Sequence, residues 1–150
     1  MTTVPDPASP RVVLIVEDQL LVAMALKDEL EDRGYRVLDL AVRHQEALAM
    51  ARATPVDLAL VNIDLADDDD GSALAWDLKA MGVPVIFISG QTDRVELAKE
   101  AAIASMPKPY SARDLADAVG YVFRQRAGGA PEAAPPKLDV FALRAVKPAA

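Results

Sequence analysis

The sequence predicts an α/β fold, a doubly wound sheet of five parallel strands in the order 2-1-3-4-5. Three observations carry this. Short β-branched or aliphatic runs alternate with helical patterns along the chain. The middle runs are almost wholly apolar, as befits strands covered on both faces. Alternating units of this length also require right-handed crossovers, for which 2-1-3-4-5 is a common order.

The strands are expected at VVLIV (12–16), RVLDLA (36–41), LALVN (58–62), VPVIFIS (83–89) and IASM (103–106). After the first, Val22, Leu26 and Leu30 recur at helical spacing before Gly34. Leu74, Leu78 and Met81 do the same before Gly82, and both glycines stand where a helix stop is expected. Leu115, Val119 and Val122 mark the last helix, which Ser111-Ala-Arg-Asp114 opens in the form of a capping box. Trp76 is expected to pack against or beside the third helix, and His44 to be a surface polar residue.

The 150 residues suit one domain, read as an extension at 1–10, the α/β unit at 11–126 and a tail at 127–150. The tail holds eight Ala and four Pro, with Gly128-Gly129 at its start, and is expected to be flexible, although Leu138, Val140, Phe141 and Leu143 form an apolar cluster able to dock. No apolar run approaches the roughly 20 residues that span a bilayer, and MTTVPDPASPR lacks a signal-peptide core, so the expectation is a cytoplasmic protein without a membrane partner. The absence of cysteine excludes disulfides, thiolate catalysis and cysteine-based zinc sites, and the single His44 leaves no multi-histidine site. A net charge of -7 argues against nucleic acid as a partner.

Ligands of such a sheet gather at the strands' carboxyl ends. There the sequence places Glu17 and Asp18 after the first strand, Asn62 and Asp64 at the third, Ser89-Gly90 at the fourth and Lys108-Pro109 at the fifth. Two acids and a further oxygen ligand suit Mg²⁺, which takes carboxylates, carbonyls and waters. A hydroxyl and a lysine opposite would receive a phosphoryl group. The aspartate run at Asp67–Asp70 reads as a solvated loop, because EF-hand ligand spacing is missing.

Together these motifs, VVLIVEDQ, VDLALVNIDL, VPVIFISG and MPKPY, resemble the receiver domain of bacterial response regulators, a flavodoxin-like fold, over residues 11 to 126. VPVIFISGQTD also resembles the stand-alone type. The resemblance implies a Mg²⁺ site at Glu17, Asp18 and the backbone carbonyl of Asp64, with Ser89 as switch residue and Lys108 as phosphate contact. It implies a histidine kinase or phosphotransfer protein upstream, a signalling protein downstream, and no enzyme activity, leaving the oligomeric state open.

Two positions depart from the family. Where its third strand ends in a phosphoacceptor aspartate, this chain has Asn62, whose amide is not nucleophilic and carries no charge. Where its fifth strand carries an aromatic switch residue, this chain has Ser105. The expectation is a pseudo-receiver or non-phosphorylatable variant with weakened Mg²⁺ binding, acting through protein contacts. The alternatives are a receiver phosphorylated at Asp64 and a Mg²⁺-dependent phosphoryl-transfer enzyme.

Overall fold

The structure, a computed structural model, describes residues 10–65, 71–90 and 92–142. The elements run β1 (Val12–Val16), α1 (Leu20–Asp32), β2 (Arg36–Val37), α2 (His44–Ala53), β3 (Leu58–Asn62), α3 (Gly71–Ala80), β4 (Val85–Ser89), α4 (Thr92–Leu97), a 3-10 turn (Lys99–Ala101), β5 (Ala104–Pro107), α5 (Ala112–Arg126) and β6 (Asp139–Val140). The sheet order is β2-β1-β3-β4-β5-β6. The first five strands are parallel in the expected order, and β6 is added antiparallel to β5.

Period-two alternation divides the core. Val13, Ile15, Leu58, Leu60, Ile86 and Ile88 face α1 and α5. Leu14, Val16, Ala59, Val61, Val85 and Phe87 face α2 and α3. β3 and β4 are buried throughout, which explains why they are apolar up to their last residues, Asn62 and Ser89. The α5 stripe of Leu115, Val119 and Val122 is fully buried, and the Ser111 hydroxyl accepts from the Asp114 N–H at 3.0 Å, so the N-cap expected there forms. Gly34 and Gly82 end α1 and α3 at φ +93° and +81°, the left-handed region that favours glycine.

Several expectations need correction. The second strand is a ladder of only two residues, although Leu38 and Ala41 still donate to Val13 and Ile15 carbonyls at 3.1 Å. As an edge element it has no second neighbour to hold residues 38–40 in register. The apolar stripe of α3 stops at Leu78: Met81 lies past the helix end and is exposed, and Trp76 lies on α3 itself with Lys79 over its ring. His44 is half-buried and pairs with Asp77 at 2.7 Å, joining α2 to α3.

The reading of 127–150 as a flexible tail is corrected at residues 138–142. Leu138 is buried against the α1/α5 side, Phe141 packs on the opposite side, and both Phe141 and Ala142 donate to the Ile103 carbonyl, at 2.8 and 3.0 Å. The alternation that hides these side chains is too short to stand out in an Ala/Pro-rich stretch. Asp67–Asp70 and Leu143 lie outside the described residues.

Candidate functional site

Parallel pairing brings the strand ends together. The register Val16–Val61 sets Glu17, one residue past β1, beside Asn62, the last residue of β3, and Asn62 in turn lies opposite Ile88, next to Ser89. Glu17, Asn62 and Ser89 are buried, at 2%, 1% and 4% exposure. Lys108 follows β5, and its N–H donates to the Ser89 carbonyl at 3.0 Å, before a cis Lys108–Pro109 peptide. Five of the six residues singled out from the sequence, Glu17, Asp18, Asn62, Ser89 and Lys108, thus lie together at the carboxyl edge of the sheet.

Asn62 organises it. Its Nδ2 donates to Glu17 Oε2 at 2.5 Å and, at 3.4 Å, to Asp18 Oδ1, while its Oδ1 accepts from the Asp64 N–H at 2.9 Å. The Asp64 N–H requires an acceptor, which fixes the amide orientation. Burial pushes the Glu17 carboxyl above its ordinary value; the Asn62 hydrogen bond and the Lys108 charge oppose that rise, and the neighbouring Asp18 adds to it. A neutral donor thus both fills the end of β3 and relieves Glu17. An aspartate there would set an anion against a buried anion.

The sixth residue, Asp64, meets the cluster through its backbone N–H on Asn62 Oδ1. The Asp64 carboxylate pairs with Arg94 of α4. On its other side Asn62 is held by α3: a Cβ on Gly71 would lie 2.2 Å from the Asn62 carbonyl oxygen, and the Gly71 N–H donates to the Ile63 carbonyl at 3.0 Å. Only glycine lets α3 begin this close to β3.

A family model of the response regulator receiver domain matches residues 13–120. The chain belongs to that family. Among its relatives, the transcriptional regulatory protein PdtaR of Mycobacterium tuberculosis is 34% identical over 121 residues, covering 79% of this chain and 59% of PdtaR. The phyllosphere-induced regulator PhyR of Methylorubrum extorquens is 38% identical over 84 residues, covering 55% of this chain and 32% of PhyR. The receiver thus spans less than two-thirds of either regulator's length. A CheY-like receiver domain protein from Methanospirillum hungatei JF-1 superposes with a TM-score of 0.72 at 28% identity, over 78% of this chain and 96% of that one. The fold is accordingly the flavodoxin-like receiver fold.

Receiver domains are in general signalling modules rather than enzymes; they interact with histidine kinases or other signalling proteins and bind Mg²⁺ at an acidic pocket. No helix among the described residues of this receiver is long and apolar enough to cross a membrane. Against Mg²⁺ its pocket sets Glu17 and Asp18, with Glu17 Oε1 buried and unpartnered, but also the N–H groups of Asn62 pointed at both carboxylates. Among the described residues no three His, Cys, Asp or Glu side chains are grouped to hold a metal. Donor hydrogens where a hard cation wants oxygens do not fit Mg²⁺.

Two neighbours of the site escaped the sequence reading. Arg94 had no local signal, because its partner Asp64 lies 30 positions away. Tyr110 stood in MPKPY, yet only the fold buries its hydroxyl, unpartnered and with its pKa pushed up to about 12, first by burial and then by the Glu17 charge. Ser105, expected at the position of the aromatic switch, is buried on β5 opposite Phe87.

Proposed function

We propose that this receiver serves two-component phosphorelay signalling through protein–protein contact, without itself accepting a phosphoryl group. The observation that carries this reading is the Asn62 amide donating to Glu17. The position matching the family's acceptor is filled by a group with no nucleophilic oxygen, and its hydrogens are committed to the acid pair that would otherwise coordinate a cation. If the amide gave way, Glu17, Asp18 and the Asp64 carbonyl would be the candidates to take Mg²⁺, and Ser89 and Lys108 the candidates to meet a phosphoryl group. The partners in this reading are a histidine kinase or phosphotransfer protein and a downstream signalling protein, in the cytoplasm.

The test is intact mass after incubation with a small acyl-phosphate donor and Mg²⁺ at neutral pH. The expected result is an unchanged mass. A gain of one phosphoryl group mapped to Asp64 would replace this reading with an acceptor displaced by two residues, which would have to leave its pairing with Arg94.

A further inference from the structure

The β5 edge of the sheet is covered by the chain's own residues 138–142, and the way this cover is attached matters. Leu138 is its one buried side chain; Phe141 is half-buried with Lys99 over its ring. The connection from α5, residues 127–136, is exposed almost throughout and carries Gly128, Gly129, Pro131, Pro135 and Pro136. It touches the domain chiefly where Glu132 meets Arg124 and Gln125. To turn back onto β5 the chain passes through Lys137 at φ 75°, a left-handed conformation uncommon for a residue with a Cβ. The cover is thus well matched to its edge, while the hinge that delivers it is strained.

We propose that the β5 edge is an interaction surface for a second copy of this chain, whose residues 138–142 seat on it in reciprocal strand exchange. The complementarity is already present: the same Leu138 contact, the same Phe141 contact and the same backbone bonds to Ile103 form whichever copy supplies the strand. Exchange lets the segment before Leu138 run straight on and frees Lys137 from its left-handed turn, and strain at a hinge favours swapping. What opposes exchange is the local concentration of the chain's own strand, in the millimolar range for a short tether and lower when a proline-rich tether must be bent. Exchange therefore grows with protein concentration.

The absence of cysteine permits a clean test. Ala104 and Val140 are directly opposite, and because Phe141 donates to Ile103, theirs is the non-hydrogen-bonded pair, with Cα atoms about 4.5 Å apart, inside disulfide range. Full-length Ala104→Cys and Val140→Cys chains are mixed under mild oxidation over a concentration series. The expected result is a mixed disulfide between positions 104 and 140, rising with concentration and about tenfold above that formed with an Ala130→Cys control in the exposed connection. The Ala104→Cys/Val140→Cys double variant, oxidised when dilute, should close within one chain and stay monomeric by light scattering, which shows that the cysteines leave the pairing intact. Lys137→Gly, which removes the left-handed strain, should lower the mixed disulfide about threefold. A mixed disulfide no greater than the control, or one unchanged by Lys137→Gly, overturns the proposal.

Discussion

Asn62 Nδ2 donates to Glu17 Oε2 at 2.5 Å, so a neutral amide at the end of β3 satisfies a buried acid from 45 positions earlier in the chain. The same amide's oxygen is taken by the Asp64 N–H. Both ends of the side chain are therefore used, and the consequences of changing it follow from electrostatics.

Asn62→Asp should lower the stability of the metal-free protein by on the order of 1 kcal/mol, because it sets a third carboxylate beside Glu17 and Asp18, partly offset by Lys108. Mg²⁺ should reverse the loss, since a ligand that prefers the folded state stabilises it. The variant should also accept phosphoryl from a small donor. Thermal melts of both proteins with and without Mg²⁺ give the readout; a variant without a Mg²⁺-dependent shift rules out Asn62 as the missing acceptor.

Glu17 predicts a pH dependence. Its carboxyl is raised above the ordinary 4.5, so between that value and its folded pKa the native state holds a proton that the unfolded chain has released. Its stabilising contribution is thus full below 4.5 and lost as pH rises through the folded pKa. Relative to Glu17→Gln, which has nothing to titrate there, the parent should lose stability in urea unfolding as pH rises from 4.5 through the raised folded pKa of Glu17. A constant difference between the two proteins would mean that Glu17 is not raised.

Gly71→Ala should destabilise by about 1–3 kcal/mol, the usual scale of overpacking, since its Cβ would lie 2.2 Å from the Asn62 carbonyl oxygen. Ala73→Ser, at the exposed position two residues on, is the control for a general effect on α3. Equal midpoints in chemical unfolding for both variants would mean that the close approach of α3 to β3 relaxes freely.

Ending the chain after Arg126 should cost about 1.5–3 kcal/mol, the range for exposing a buried leucine, because Leu138 is only 8% exposed. The truncated protein should still unfold cooperatively, as the five parallel strands and α5 remain. An unchanged midpoint would show that residues 138–142 add nothing to stability.

By itself the sequence determined the parallel core, because period-two and period-3.6 alternation is a local record of which face each residue must bury, as in Leu58–Asn62 and Leu115–Val122. Order and handedness followed from the chirality of crossovers, and the polar residues at the strand ends followed from where such sheets leave a crevice. The nearness of Glu17, Asn62, Ser89 and Lys108 was legible for that reason. Only the tertiary structure decided what depends on partners distant along the chain. Residues 38–40 leave the ladder because an edge strand is held from one side, and residues 138–142 join the sheet because β5 offers unpaired backbone groups and apolar surface on both faces. Asp64 turns to Arg94, Tyr110 is sealed beside Glu17, and His44 meets Asp77 for the same reason. Local pattern says which face a side chain takes, but the direction of a polar side chain is set by whichever charge folding brings within reach.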